Sequence, residues 1–249
     1  MKSCIFTIVY NEKYFLPLWL KYYSSHFEHK DIFILDNDST IPYKINKNIN
    51  LIPTPSTYCF DSGWLKQTIH NKLNELLKIY ETVVFVEVDE FLIPNKLLYP
   101  QGLKQFIEEN KENHVTATGF DLIQKENEPN LNKNPIFTQR IAGNLSIKYN
   151  KTLINKKFVT WERGFHKCNE EIDPNPNLFL VHMHYLDKEI AWNRHVERLK
   201  KTFQPDELKK GFSFQNAPMK KEKFLDMWPI PTTNLSNNFQ IPFDMVKLG

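Results

Sequence analysis

Short apolar runs alternate with stretches of helical period over the first half of the chain. Cys4–Val9 (CIFTIV) is a continuous, β-branched apolar run, as expected of a strand covered on both faces. Tyr10-Asn11-Glu12 breaks it. Leu16, Trp19, Leu20, Tyr23 and Phe27 then recur at helical spacing, with Pro17 in the first turn, where its missing N–H does no harm. Asp31–Leu35 (DIFIL) predicts a second strand, closed by the polar run Asp36-Asn37-Asp38-Ser39-Thr40. This succession has the size of a βαβ crossover.

The pattern repeats. Asn50–Ile52 predicts a strand, and Asp61 or Ser62 caps a helix that carries Leu65, Ile69, Leu73, Leu76 and Tyr80 on one face. Thr82–Val88 (TVVFVEV) is the third clear strand, followed by a short helix at Leu103–Glu109 and a strand at Val115–Phe120. The reading is α/β with a mainly parallel sheet. Beyond Asp121 the pattern loosens. Residues 124–135 read as a surface loop, and strand-like stretches follow near Ser146–Ile154 and Leu178–Tyr185. A helix is expected over Asp187–Phe203, capped by Asp187, with Trp192, Val196, Leu199 and Phe203 on one face and Pro205 as its stop. No Gly/Ser-rich linker divides the chain. Residues 1–204 are expected to form one domain, with 205–249 as an extension packed on it.

Composition narrows the function. The 249 residues are 41% hydrophobic and 24% charged, which is globular rather than disordered. No apolar run approaches the ~18 residues of a membrane span. The opening MKSCIFTIVYNEK lacks the apolar stretch and cleavage site of a secretion signal, so a cytoplasmic location is expected. A net charge of +3, with only four arginines among 32 basic residues, argues against a nucleic-acid partner. Three scattered cysteines (Cys4, Cys59, Cys168) build neither a disulfide scaffold nor a cysteine zinc site. None of the seven glycines lies near the first strand, so the dinucleotide fingerprint and the phosphate loop are both missing. If the chain handles a nucleotide, something other than a glycine loop meets the phosphates.

In open parallel sheets ligands bind beyond the carboxyl ends of the strands. Three polar clusters fall there: Asn11-Glu12, Asp36-Asn37-Asp38 and Glu87-Val88-Asp89-Glu90. In FVEVDEF side chains alternate, so Phe85, Glu87 and Asp89 are expected to share one face. Carboxylates in a covered strand need a cation or hydrogen-bond donors. A divalent metal on Asp89, directly or with Glu87 through water, would neutralise a diphosphate; solvated acids with Glu90 capping the next turn are the plainer reading. His182 and His184 stand at i and i+2 of a strand, with His166 upstream, and any of the three is a candidate partner for Asp89. His70, His114 and His195 carry no such pattern.

Together TIVYNEKYFLPLWLKYY, IFILDNDST, Lys66-Gln67 on the second helix, FVEVDEFLIP, GFHKC and HMHYLDKEIAWNRH resemble bacterial family-2-like glycosyltransferases. The resemblance covers roughly residues 3–200 and holds as an ordered set rather than piece by piece. It implies a GT-A (Rossmann-like) fold: a mainly parallel sheet flanked by helices, with mixed strands in the C-terminal half. It also implies a nucleotide-sugar donor, a divalent cation (manganese or magnesium), and a hydroxyl of a glycan or lipid-linked saccharide as acceptor, in surface polysaccharide or lipopolysaccharide assembly. By position, Val9, Tyr10, Asn11 and Glu12 would flank the base, Asp36 would contact base or ribose with Asn37 nearby, and Lys66 and Gln67 would approach the donor. Glu87 and Asp89 stand where the family has its DxD motif, the first acid here being Glu, which makes Asp89 the expected metal ligand. His166 matches a late histidine near the metal, with His182 and His184 as alternatives; Arg194 and Lys148 are candidates to offset diphosphate charge.

Loss of a diphosphate leaves the anomeric carbon cation-like and the departing phosphate more negative. In an inverting reaction a carboxylate takes the acceptor's proton; Asp121 is the first candidate for this catalytic role and Glu162 the second. Residues 200–223, lysine-rich with Phe203, Phe212 and Phe214, suggest peripheral contact with a membrane face, against a plain solvated surface. The rivals are a sugar-phosphate nucleotidyltransferase, which normally has a glycine-rich start that is missing here, and a non-catalytic nucleotide-sugar-binding domain.

Overall fold

A computed structural model of the chain describes residues 2–58, 60–209 and 216–235. Its centre is β1 (Ser3–Val9), the first apolar run, in which Cys4, Ile5 and Phe6 are fully buried. β1 pairs in parallel with β2 (Ile32–Asp36) on one side and with β4 (Thr82–Phe85) on the other, and β3 (Asn50–Pro53) extends the sheet beyond β2. The connecting helices lie where the periodicity predicts them but end earlier, leaving Phe27 and Tyr80 beyond their last turns. α1 (Phe15–Tyr23) buries Leu16, Leu18, Trp19, Tyr22 and Tyr23. α2 (Ser62–Leu76) starts on the Asp61 carboxylate, which accepts the Trp64 N–H at 2.9 Å, and buries Ile69, Leu73 and Leu76. After β3 the chain crosses back over β2 and β1 to place β4, so strand order reverses about β1.

The second half is mixed. β5 (Glu90–Pro94) pairs antiparallel with β9 (Pro174–His182), which runs parallel to β6 (His114–Leu122). β8 (Thr152–Asn155) lies antiparallel between β4 and β6, and β7 (Ala142–Leu145) is antiparallel to β6. With β10 at Thr233–Asn234, the order β10-β7-β6-β8-β4-β1-β2-β3 is α/β with a parallel half and a mixed half, the fold class expected from the sequence. α3 (Leu103–Glu109), α4 (Ile136–Gln139), α5 (Lys188–Arg198), α6 (Pro205–Lys209) and α7 (Lys221–Asp226) complete the described elements. β10 (Thr233–Asn234) adds residues of the C-terminal stretch to the sheet edge at β7. No helix among the described residues is long and apolar enough to cross a membrane. Phe212, Phe214 and Cys59 lie outside the described residues.

Three expectations need correction. The third strand stops at Phe85, not Val88: Val88-Asp89 turns, and Glu90 opens β5 instead of capping a turn. The turn is closed by two bonds between residues 87 and 90, the Glu90 N–H to the Glu87 carbonyl at 3.0 Å and the Glu87 N–H to the Glu90 carboxylate at 2.9 Å. Strand alternation therefore does not position Glu87 and Asp89. The stretch 146–154 is not one strand, because Ile147–Tyr149 forms a 3-10 turn ahead of β8. α5 ends at Arg198, and it buries Ala191, Arg194 and His195 rather than the apolar stripe; Val196 is 41% exposed.

Asp187 anchors α5. Its carboxylate accepts the Glu189 and Ile190 N–H groups, both at 3.0 Å, and the Leu131 N–H at 2.7 Å, and it lies 3.8 Å from the buried Arg140 guanidinium. Asp187→Ala is expected to cost about 2 kcal/mol in urea unfolding, a cap plus a lost partner for a buried charge. A cost under about 0.5 kcal/mol, the scale of an inconsequential surface change, would contradict this.

Candidate functional site

The strand-order reversal opens a gap beyond the carboxyl ends of β1 and β4, the place where open α/β sheets bind ligands. A cleft of about 250 Å³ lies there. Ile8, Val9 and Tyr10 line it from the end of β1, Glu12 and Asn37 from the following loops, and Glu87, Val88 and Asp89 from the turn after β4. Asp61, Trp64 and Leu65 face it from the start of α2, with Tyr58 and Phe60 just before. His182, His184 and Tyr185 close it from β9 and beyond, Tyr149, Gly164 and His166 from neighbouring loops, and Arg198 from α5. Gly164 (φ 79°) precedes Phe165, which takes a left-handed φ of 61° although it is not glycine. That strain is held by packing of the buried Phe165 ring on Phe85 and Trp161, and it sets His166 at the cleft.

Three acids of the cleft, Glu12, Glu87 and Asp89, are bound into ion pairs, while Asp61 caps α2. Arg194 donates from Nε to Glu12 at 2.8 Å and from Nη1 to Asp89 at 2.8 Å, and its guanidinium covers the Phe15 ring. Glu12 also caps α1, accepting the Phe15 N–H at 2.9 Å. Burial alone would raise the Asp89 carboxyl; the Arg194 charge, helped by His184 and His182, outweighs it and holds the group well below the usual carboxylate range. The buried Lys151 ammonium bridges Glu87 at 2.7 Å and Glu90 at 2.5 Å. His182 donates or accepts at Asp121 across 2.6 Å and stacks on Tyr149, with ring centroids 4.0 Å apart. Burial works against protonation of His182, but Asp121 and the nearby carboxylates outweigh it and raise its pKa. His184 lies parallel to His182 at 5.9 Å, and burial pushes it down to about 4.

Of the residues expected at the site, Val9, Tyr10, Glu12, Asn37, Glu87, Asp89, His166, His182 and His184 line the cleft. The others lie elsewhere among the described residues. Asn11, at φ 48°, uses its side chain to tie residues 40–41 and Glu197 together. Asp36 accepts the Ser39 N–H at 3.1 Å and shapes the turn after β2. Lys66 and Gln67 do not line the cleft; helical rotation turns Asp61, Trp64 and Leu65 toward it, and Gln67 bonds Asn71 on the exposed side. Asp121 is buried behind His182, while Glu162 is exposed and away from the cleft lining. Arg194 is consumed by Glu12 and Asp89, and Lys148 is exposed, with its carbonyl bonded to His166. The sequence reading missed the aromatic wall of Tyr58, Phe60, Trp64 and Tyr149, the cation Lys151 and the cleft-lining Arg198. The four-residue spacing of Arg194 and Arg198 was the available signal for the last, since it puts both on one helix face.

This donor set does not fit the expected divalent ion. Asp89 Oδ2 is taken by a guanidinium, Glu87 by an ammonium and His182 Nδ1 by Asp121. His166 Nδ1 is bonded to the Lys148 carbonyl. Among the described residues no three His, Cys, Asp or Glu side chains converge on a point where a metal could sit.

No protein-family model matches the chain, and no curated protein does. Among solved structures it is similar to TarS of S. aureus, at 16% identity and a TM-score of 0.33 over 91% of this chain. It spans only 43% of that protein's chain. It is also similar to a mannose-1-phosphate geranyltransferase from Thermus thermophilus, at 11% identity and a TM-score of 0.31 over 99% of this chain and 73% of that one.

Proposed function

We propose that the chain is a glycosyltransferase that moves a sugar from a nucleoside-diphosphate donor to a hydroxyl of a glycan or lipid-linked acceptor. The observation that carries this reading is the position and lining of the cleft. It opens where strand order reverses about β1, and it combines an aromatic wall with polar groups from the ends of β1, β2 and β4. Aromatic faces such as Tyr10 and Trp64 suit a base and a sugar ring. The Asn37 side chain, fixed by the Ser56 N–H at 2.9 Å and by Lys201 at 3.1 Å, offers a rigid polar edge for base or ribose.

In the transfer the acceptor oxygen bonds to the anomeric carbon as the bond from that carbon to the phosphate oxygen breaks. The nucleoside diphosphate leaves with the electron pair, and the acceptor's proton passes to a base. Asp121, the candidate for receiving it, reaches the cleft through its bond to His182. Incubation with a panel of nucleotide sugars and simple saccharide acceptors tests the reading. One nucleotide sugar is expected to be consumed with release of its nucleoside diphosphate. Consumption of a nucleoside triphosphate plus sugar phosphate, with pyrophosphate release, would point to a nucleotidyltransferase. Binding without turnover would point to a binding domain.

A further inference from the structure

Arg198 is the one lysine or arginine among the described residues that lines the cleft. It sits one turn of α5 beyond Arg194, and the two differ in what they touch. Arg194 spends its Nε and Nη1 donors on Glu12 and Asp89. The Arg198 guanidinium makes no hydrogen bond or ion pair with any described residue. Burial and the neighbouring Arg194 both work against its charge, while Asp89, Glu12 and Glu87 favour it only from a distance. A half-buried cation without a partner is costly, and natural structures seldom keep one without use. A guanidinium presents up to five donors in a planar fork that matches two phosphate oxygens at once.

We infer that Arg198 holds the diphosphate of the donor nucleotide, supplying from the chain the positive charge that a divalent ion was expected to bring. The inference rests on the nucleotide-sugar reading above. It accounts for two observations together. The acids expected to bind a metal are already paired with Arg194 and Lys151. The remaining cation of the cleft lining is unpaired among the described residues and lies near enough to Asp89 and Glu12 for their charges to act on it. Arg194 then acts as a positioning residue, fixing the acids so that they do not capture Arg198.

Titration calorimetry of the full chain in EDTA, with UDP, GDP, CDP and ADP and with the matching nucleosides, tests this. The wild type is expected to bind one of the diphosphates without metal. Arg198→Gln is expected to weaken that diphosphate about tenfold to a hundredfold, the scale of lost charge-assisted bonds, and to leave the nucleoside unchanged. Its melting temperature is expected to equal or exceed the wild-type value, since a charge unpaired among the described residues is removed. Arg198→Lys, which keeps the charge but loses the fork, is expected to fall between and serves in place of the glutamine variant if that one misfolds. Wild-type affinity in the folded Arg198 variants, or diphosphate binding that appears only with added manganese or magnesium, overturns the role of Arg198 alone. Failure of all four diphosphates to bind the wild type, with or without manganese, overturns the nucleotide reading and this inference with it.

Discussion

Arg194→Gln is expected to lower the stability of the protein by about 3–5 kcal/mol, because it strands two buried carboxylates at once. Glu12 and Asp89 are 5% and 9% exposed at their side chains, and each gives an oxygen to Arg194 at 2.8 Å. Glutamine cannot reach both, and it brings no charge. Urea unfolding followed by far-ultraviolet circular dichroism measures the loss. The pH dependence carries a second, independent sign. The Asp89 carboxyl is held below its unfolded value, so the stability it contributes is present above about pH 4 and is lost as pH falls through the folded value. The gap between wild type and Arg194→Gln is therefore expected to narrow in acid. A gap that widened as pH fell, or a loss under about 1 kcal/mol, the scale of a surface ion pair, would mean that this pairing does not hold the cleft together.

Lys151→Met is expected to have an effect of similar size, about 3–5 kcal/mol. The Lys151 side chain is fully buried between Glu87 and Glu90, and Glu90 is fully buried as well. Burial already raises the Glu90 carboxyl, with Lys151 opposing that rise. Without the ammonium the group goes higher still. A carboxyl raised in the folded state disfavours folding above its unfolded value, so the variant is expected to gain stability as pH drops from 7 toward 5. Adding Glu90→Gln should recover more than about 1 kcal/mol, a coupling that only neighbours show. Strict additivity of the two changes would place Lys151 and Glu90 in separate interactions and contradict the bridge.

Much of the frame was readable from local pattern. β1, α1, α3 and the caps at Asp61 and Asp187 fall where periodicity and capping chemistry put them, because each depends on residues a few positions apart. What the pattern could not convey is pairing across the chain. FVEVDEF reads as one strand, but the Glu90 carboxylate turns back on the Glu87 N–H while its other oxygen meets Lys151, 61 positions away. On α5 the apolar stripe pointed to Trp192, Val196 and Leu199, yet the helix turns Arg194 inward because Glu12 and Asp89 wait opposite, 182 and 105 positions away. The polar clusters at the strand ends do border a cleft, while which of their side chains face it depends on these distant partners. Asn11 and Asp36, for instance, stand at the expected strand ends but spend their side chains on the turns there.

The most direct test of the account is a crystal structure of the protein with the nucleoside diphosphate that raises its melting temperature most. Density is expected in the cleft beyond β1 and β4, with the base beside Val9, Tyr10 and Asn37 and the phosphates against Arg198. A nucleotide bound anywhere else on the molecule, or no nucleoside diphosphate that binds at all, would contradict it.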